Sequence, residues 1–247
     1  MRAALLLAVY GYVAAHPHRD GPPSLRRPVR EGVWQAPSAP SIAGPLNPQH
    51  RVLYVEGMFD NSYSQAEMLA DATEVGASNF STVVLAFMHV NGSGAPIYNN
   101  IPFSAATTLP ECITRMRAGG VKTILISLGG AGTGSDFDHV ASNFDSWLAA
   151  TEALFSTLGI DGIDIDIESG MSSRMPVLQK IANAAAARNW TLTGAPCCSG
   201  PADWVTLVSS TKTSAGRCAF SWLHVQVRGT QQSLHCSVDV HPRANEV

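Results

Sequence analysis

From residue 51 onward, short apolar runs alternate with longer segments of helical periodicity. Several of the apolar runs are nearly continuous, which is typical of strands that are buried on both faces. The longer segments carry apolar residues three and four positions apart, which predicts amphipathic helices. We expect strands at 51–56, 82–89, 122–127, 162–167, 191–195 and 221–227, and helices at 65–75, 109–118, 144–158 and 175–189.

The alternation of strands with helices predicts an α/β protein with parallel strands and right-handed crossovers. The predicted strands begin on average about 34 residues apart, which fits the repeat of a (β/α)8 TIM barrel. An open doubly wound sheet is the alternative on this pattern alone. Only about six of the eight units are visible, because residues 228–247 show neither strand nor helix periodicity. We therefore expect an incomplete barrel over residues 49–227.

The first 48 residues differ from the rest of the chain in composition. Residues 1–15 combine Arg2, a short apolar run and small residues, which predicts a secretory signal peptide. That run is too short to cross a bilayer, and no later segment predicts a membrane span. Residues 16–48 are rich in proline and arginine, and we interpret them as a leader or linker. Arg26 and Arg27 either form a processing site or belong to a solvated linker.

Composition and charge narrow the possible classes of function. Hydrophobic residues make up 45% and charged residues 14% of the chain, so global disorder is excluded. The net charge of −3 gives no reason to expect nucleic acid as a partner. We expect a secreted monomer, glycosylated at three Asn-X-Ser/Thr sequons that begin at Asn79, Asn91 and Asn189. The five cysteines leave at least one unpaired, or paired between chains.

The most informative segment is 161–168, which reads DGIDIDIE. Side chains alternate faces along a strand, so three isoleucines share one face while Asp164, Asp166 and Glu168 share the other. In a barrel this second face points inward. A buried row of carboxylates favours one protonated member, and Glu168 lies at the carboxyl end of the strand, where barrel enzymes place their sites. A calcium loop and a solvent-facing acidic strand are the two alternatives.

Four segments together resemble the glycoside hydrolases of family 18, the chitinases and their relatives. DGIDIDIE matches the DGxDxDxE signature of the family, which includes Asp161 and Gly162. KTILISLGG resembles its third strand, with the SxGG motif at Ser127, Gly129 and Gly130. TLTGAP resembles the fifth strand, and WLHVQ the sixth. The resemblance covers about residues 51–226 and implies a TIM barrel.

The resemblance also implies a substrate, chitin or another N-acetylglucosamine oligosaccharide, and a mechanism. Glu168 would protonate the glycosidic oxygen, the substrate's own acetamido group would attack the anomeric carbon, Asp166 would stabilise that group, and Asp164 would support Asp166. The implied substrate-binding residues are Gln226, Phe87 and Ala195. No cofactor and no metal ion are expected. An endo-β-N-acetylglucosaminidase acting on N-glycans, and a non-hydrolytic or inactive carbohydrate-binding protein, are the alternatives.

The match to the family fails after Gln226. There the family continues with an aromatic residue and a tyrosine, whereas this chain has Val227 and Arg228. This departure is the reason to keep the inactive alternative. The spacing of His224, His235, Cys236 and His241 fits no zinc pattern. The glycine-rich segment 129–134 lacks phosphate-binding spacing, and we expect it to be a flexible loop at the barrel mouth.

Overall fold

The computed structural model describes residues 51–57, 63–99, 101–197 and 200–226. The predicted signal peptide (1–15), the leader or linker (16–48) and the unmatched tail (228–247) lie outside the described residues. Within the described part, none of the helices is both long enough and apolar enough to cross a membrane.

The described residues form eight strands and six α-helices in mixed succession. The strands are β1 (Val52–Glu56), β2 (Thr82–Val90), β3 (Pro96–Tyr98), β4 (Ile101–Pro102), β5 (Thr123–Gly130), β6 (Gly162–Ile167), β7 (Thr191–Gly194) and β8 (Phe220–Leu223). The helices are α1 (Gln65–Ala77), α2 (Leu109–Gly119), α3 (Gly134–Ser142), α4 (Phe144–Leu158), α5 (Met171–Ala187) and α6 (Pro201–Ser210). A 3-10 turn covers Phe103–Ala105.

Six of the strands are parallel and lie side by side in the order β1-β2-β5-β6-β7-β8. Strands that neighbour each other in chain order and are linked by helices have the arrangement of the first six units of a (β/α)8 barrel. No ladder joins β1 to β8 within the described ranges. The predicted α/β class with an incomplete TIM barrel is therefore confirmed.

Local sequence signals explain where several helices begin and end. The side chain of Ser64 accepts a hydrogen bond from the backbone N–H of Glu67, and the Glu67 carboxylate accepts one from the backbone N–H of Ser64. This capping box fixes the start of α1. Helix α4 ends at Gly159, which has the left-handed conformation that glycine adopts without steric cost.

Three features of the fold were not predicted from the sequence. Strands β3 and β4 form a hairpin that pairs antiparallel with the last residues of β2. They contain only three and two residues, which is too short for a periodic signal. Helix α3 begins at Gly134, so the expected flexible loop at 129–134 is in fact the end of β5 and a short turn. Helix α6 begins at Pro201 and lies between two expected strands, where no helix was predicted.

Two apolar layers lie on opposite faces of the sheet. The larger layer packs the helices against the sheet, and Ile163, Ile165 and Ile167 of β6 belong to it. The smaller layer contains Val52, Val84 and Leu125 from three different strands, with Tyr54 and Trp222 packed against them. The isoleucines thus face the helices, as the alternation predicts, and the acidic residues of β6 face the inner side of the curved sheet.

The amino end of β6 is held close to both neighbouring strands. The Asp161 carboxylate accepts hydrogen bonds from the backbone N–H of Ile124, at 2.7 Å, and from the Arg117 guanidinium, at 2.8 Å. On the other side, a Cβ placed on Gly162 would lie 1.9 Å from the carbonyl oxygen of Thr191. Position 162 therefore has room only for a glycine.

We predict that Gly162→Ala destabilises the fold by about 1–3 kcal/mol, because the new methyl group overlaps the backbone of β7. Gly92→Ala is the matched control, since a Cβ at Gly92 would meet nothing within 4 Å. Its free energy of unfolding should stay within about 0.5 kcal/mol of the wild type. Denaturant unfolding measures both variants, and equal stabilities would contradict the close approach of β6 and β7.

Candidate active site

The candidate site is built on β6 and on the residue that follows it. Asp164 is fully buried and Asp166 is 4% exposed. Glu168 comes directly after the carboxyl end of the strand and is half-buried. Because alternate residues of a strand point the same way, the three carboxylates form one row that runs from the interior of the sheet to its open end.

Asp164 accepts hydrogen bonds from three hydroxyl groups, each on a different strand. Tyr54 Oη of β1 and Ser127 Oγ of β5 donate to Oδ2, at 2.9 Å and 2.8 Å. Thr193 Oγ1 of β7 donates to Oδ1 at 2.6 Å. A buried carboxylate is costly unless its oxygens are satisfied, and these three donors supply that compensation. The sequence pointed to Ser127 but not to Tyr54 or Thr193.

Asp166 lies one step further toward the open end. Its Oδ1 accepts a hydrogen bond from Gln226 Nε2 at 2.8 Å. The same amide nitrogen donates to the carbonyl oxygen of Ala195 at 3.2 Å, and the Gln226 backbone N–H donates to the carbonyl oxygen of Pro196. Gln226 and Ala195, which the resemblance indicates as substrate-binding residues, therefore contact each other, and Gln226 also contacts Asp166.

Glu168 lines a cavity of about 230 Å³. The cavity lies between the loop after β6 and the start of α6, and its other lining residues are Ile167, Ser169, Gly170, Met171, Ser172, Gly200 and Asp203. The Cys197 thiol donates a hydrogen bond to the carbonyl oxygen of Glu168 at 3.5 Å. Glu168 is thus the most exposed residue of the row, since Asp164 and Asp166 are both buried.

The two glycines at the end of β5 leave room for the neighbouring groups. Gly129 has φ +111°, and a Cβ there would lie 2.1 Å from the carbonyl oxygen of Asp166. Gly130 has φ +103°, and a Cβ there would lie 3.2 Å from the Phe87 ring. Only glycine adopts such backbone angles without strain. The SxGG segment therefore lets β5 lie close to the backbone of Asp166 on one side and to the Phe87 ring on the other.

His224 is a further polar residue of this region. Its Nε2 accepts a hydrogen bond from Trp222 Nε1 at 2.8 Å, and its ring meets the Tyr54 ring edge-on at a centroid distance of 5.3 Å. Burial lowers the pKa of His224, and the negative charge of Asp164 opposes that shift. Among the described residues no cluster could hold a metal ion. His235, Cys236 and His241 lie outside the described residues.

The three predicted glycosylation sites lie at the surface. Asn79 and Asn189 are exposed and follow helices α1 and α5, and Asn91 is exposed in the turn after β2.

Of the cysteines in the described part, Cys112, Cys197 and Cys218 form no disulfide. Burial raises the pKa of the Cys112 thiol to about 11. Cys198 and Cys236 lie outside the described residues.

We predict that Thr193→Val lowers the free energy of unfolding by about 1.5–3 kcal/mol, because it removes a donor from the buried carboxylate of Asp164. Thr151→Val is the control, because Thr151 is a buried threonine whose hydroxyl has no hydrogen-bond partner in the described part of the chain. It should change stability by less than about 0.5 kcal/mol. If the two variants unfold at the same denaturant concentration, the hydroxyl of Thr193 does not stabilise Asp164.

Solved structures of several chitinases resemble the fold. They include a family 18 chitinase from Pseudoalteromonas aurantia, with a TM-score of 0.53 and 18% identity over 70% of this chain and 66% of that chain. A chitinase from Bacteroides thetaiotaomicron has a TM-score of 0.51 and 17% identity, and the match covers 72% of this chain and 53% of that chain. The Ostrinia furnacalis Group IV chitinase in complex with allosamidin has a TM-score of 0.51 and 14% identity, and the match covers 70% of this chain and 49% of that chain. The chain thus spans about half to two thirds of these chitinases.

The family is identified by a match of the sequence to a family model. A comparison with curated protein sequences finds no significant match. The sequence model of the family described as "Glycosyl hydrolases family 18" matches residues 51–216, which is more than half of the chain and contains the carboxylate row of β6. The resemblance predicted from four short motifs is therefore confirmed, and the chain belongs to family 18 of the glycosyl hydrolases.

Proposed function

We propose that this protein hydrolyses β-1,4-linked N-acetylglucosamine polymers such as chitin, with retention of configuration and with the substrate's acetamido group as the nucleophile. The observation that carries the proposal is the row of three carboxylates on β6. One is buried among three hydroxyls, the next is held by Gln226, and Glu168 borders a cavity at the open end. This gradient from fixed to accessible suits three different roles.

Glu168 is the general acid in this proposal. It gives its proton to the glycosidic oxygen while the bond from that oxygen to the anomeric carbon breaks. The carbonyl oxygen of the neighbouring 2-acetamido group attacks the same carbon from the other face and forms an oxazolinium ion. Glu168, now ionised, then takes a proton from water as the water attacks the anomeric carbon. The oxazolinium ring opens, which restores the acetamido group, and Glu168 is protonated again.

Asp166 and Asp164 act on the acetamido group in this proposal. Asp166 accepts a hydrogen bond from the acetamido N–H and stabilises the positive charge of the oxazolinium ion. Its present partner, Gln226 Nε2, lies within hydrogen-bond distance of both Asp166 and the carbonyl of Ala195, so it can retain one bond while Asp166 turns. Asp164 is held behind Asp166 by three hydroxyls, and it supports Asp166 by sharing a proton or a hydrogen bond with it.

The mechanism needs no second catalytic carboxylate on another strand. Most retaining glycosidases place two carboxyl groups about 5–5.5 Å apart, one as acid and one as nucleophile. Here the substrate supplies the nucleophile, so a row on a single strand is sufficient. The proposal includes no cofactor and no metal ion, since each proton and each bond is accounted for by Glu168, the acetamido group and water.

A protein that binds such sugars without hydrolysing them is the second candidate. The specific observation in its favour is the departure from the family after Gln226, where Val227 and Arg228 replace the aromatic residue and the tyrosine. An endo-β-N-acetylglucosaminidase that cleaves the core of N-glycans uses the same acetamido chemistry. Such an enzyme differs from a chitinase only in its substrate. Comparing the rate of hydrolysis of chitin oligosaccharides with that of N-glycans therefore distinguishes the two enzymes.

We predict that Glu168→Gln reduces kcat on N-acetylchitohexaose by about 10²- to 10⁴-fold, which is the usual contribution of general acid catalysis. The Kd for the oligosaccharide should change little, because the amide keeps the shape of the acid. Glu74→Gln, an exposed glutamate of α1, is the matched control and should leave kcat unchanged. Product analysis gives kcat, and calorimetry gives Kd.

The outcomes of this experiment separate the candidates. If Glu168→Gln hydrolyses the oligosaccharide as fast as the wild type, the assignment of the acid is wrong. A wild-type protein that binds the oligosaccharide but never cleaves it supports the non-hydrolytic candidate. Cleavage of N-glycans without cleavage of chitin oligosaccharides supports the endo-β-N-acetylglucosaminidase.

We also propose that the protein is secreted and N-glycosylated, on the basis of residues 1–15 and the three exposed sequons. After expression in a eukaryotic secretion host, the protein should be found in the medium, and its mass should fall on treatment with an amidase that removes N-glycans. A variant with asparagine changed to glutamine at positions 79, 91 and 189 should show no such fall. An unglycosylated protein retained inside the cell would contradict this proposal.

A further inference from the structure

The carboxyl end of β2 carries two aromatic rings on one face of the sheet. Met88 and Val90 belong to the core between sheet and helices, so Phe87 and His89 point to the opposite side. Their ring centroids are 6.3 Å apart with an interplanar angle of 37°. Both side chains are only partly buried. The two rings therefore form a partly exposed surface at the end of the sheet where the carboxylate row opens.

A buried carboxylate holds the His89 ring in place. His89 Nδ1 lies 2.8 Å from Oδ2 of Asp136, in the first turn of α3. The His89 side chain is 24% exposed, and that of Asp136 is 8% exposed. The other carboxylate oxygen of Asp136 accepts a hydrogen bond from the backbone N–H of Val90. Asp136 is thus anchored by the backbone of β2 and fixes the orientation of the imidazole.

This pairing determines what the second nitrogen of His89 can do. A carboxylate only accepts hydrogen bonds, so the hydrogen of a neutral His89 must lie on Nδ1. Nε2 then carries a lone pair and acts as an acceptor. Within the described part of the chain, none of the hydrogen bonds found involves Nε2 of His89. The structure therefore presents an oriented acceptor on a partly exposed ring.

This acceptor lies on β2, which is separated from β6 by the single strand β5. The Phe87 ring packs against Gly130, which pairs with Ile167 of β6, and Gly129 pairs with Asp166. The two glycines of β5 thus lie between the surface of Phe87 and His89 and the carboxylate row. A sugar chain held over the carboxylate row and extending across these glycines would meet both rings.

We propose that His89, oriented by Asp136, is a specificity-determining residue that binds the saccharide chain beside the bond to be cleaved, through a hydrogen bond from a sugar hydroxyl or acetamido N–H to Nε2. The proposal rests on the function proposed above, since it assumes an N-acetylglucosamine oligosaccharide as ligand. Phe87 provides the apolar ring beside it, and sugar rings stack on such surfaces through their C–H groups. Asp136 is a positioning residue, because it acts only through His89.

Two substitutions at position 89 separate binding from structure. The side-chain amide of Asn reaches the place of Nδ1, so His89→Asn keeps a donor to Asp136 but lacks the outer acceptor. The amide of Gln reaches the place of Nε2, so His89→Gln restores an outer acceptor. We expect His89→Asn to raise the KM for N-acetylchitohexaose by about two- to tenfold, the effect of one lost hydrogen bond. His89→Gln should recover most of the wild-type KM.

The opposite order would overturn the proposal. If the histidine serves only to hold α3 against β2, His89→Asn keeps that contact and behaves as the wild type, whereas His89→Gln loses stability. Thermal unfolding of both variants is measured alongside KM. The control is His139→Asn. His139 lies on α3, the helix that carries Asp136, and its Nδ1 contacts the carbonyl oxygen of Val90. It should leave KM unchanged.

Asp136→Asn tests the orientation of the imidazole in a second way. Its amide oxygen can still accept from the backbone of Val90, but its amide nitrogen now donates to Nδ1 of His89, which moves the imidazole hydrogen to Nε2. The acceptor becomes a donor without any change of shape. We expect KM to rise about as much as in His89→Asn, with kcat within about twofold of the wild type. An unchanged KM would show that Nε2 does not accept a hydrogen bond from the sugar.

Calorimetric Kd values, measured with the same hexasaccharide, distinguish failure of this proposal from failure of the proposed function. If the wild type binds the sugar without hydrolysing it, the hydrolase proposal fails, and the order of Kd values among the variants still supports or overturns the role of His89. If the wild type binds and the three variants match it, only the role of His89 is wrong. A wild type that binds no such oligosaccharide overturns both.

Discussion

The burial of the Asp164 carboxylate is the interaction on which the site depends. Removing a carboxylate from water costs several kcal/mol unless its oxygens are satisfied, and here hydroxyls from β1, β5 and β7 satisfy them. Those strands lie on both sides of β6, so the three bonds hold it against rotation about its axis. Because Asp166 and Glu168 follow at intervals of two residues, fixing Asp164 also fixes the direction of the other two carboxylates.

Close backbone approach on both sides of β6 completes this arrangement. At the amino end, Gly162 lets the carbonyl of Thr191 on β7 come near, and at the carboxyl end Gly129 of β5 leaves room for the carbonyl of Asp166. Any larger residue at either position would push the neighbouring strand away. The distances from Asp164 to Ser127 and Thr193 would then grow, so the glycines and the buried carboxylate support the same packing.

Helix α3 connects the site to the rim of the sheet. Asp136, in its first turn, holds His89 of β2, and Asp138, in its second, pairs with Arg174 of α5 at 2.7 Å. The side chain of Asp138 in this pair is 58% exposed, so the ion pair contributes little to stability by itself. Its effect is geometric, since both contacts fix α3 across the end of β5.

The sequence by itself determined the alternation of strands and helices, the family, and the three carboxylates of β6, because each of these depends on local spacing. Tertiary structure alone decided which groups satisfy and orient them. Tyr54 lies 110 residues from Asp164, Asp136 lies 47 residues from His89, and Thr193 lies 29 residues from Asp164. No local pattern marks such pairs, since a hydroxyl or imidazole gains its role only when the parallel strands bring an acid within about 3 Å of it.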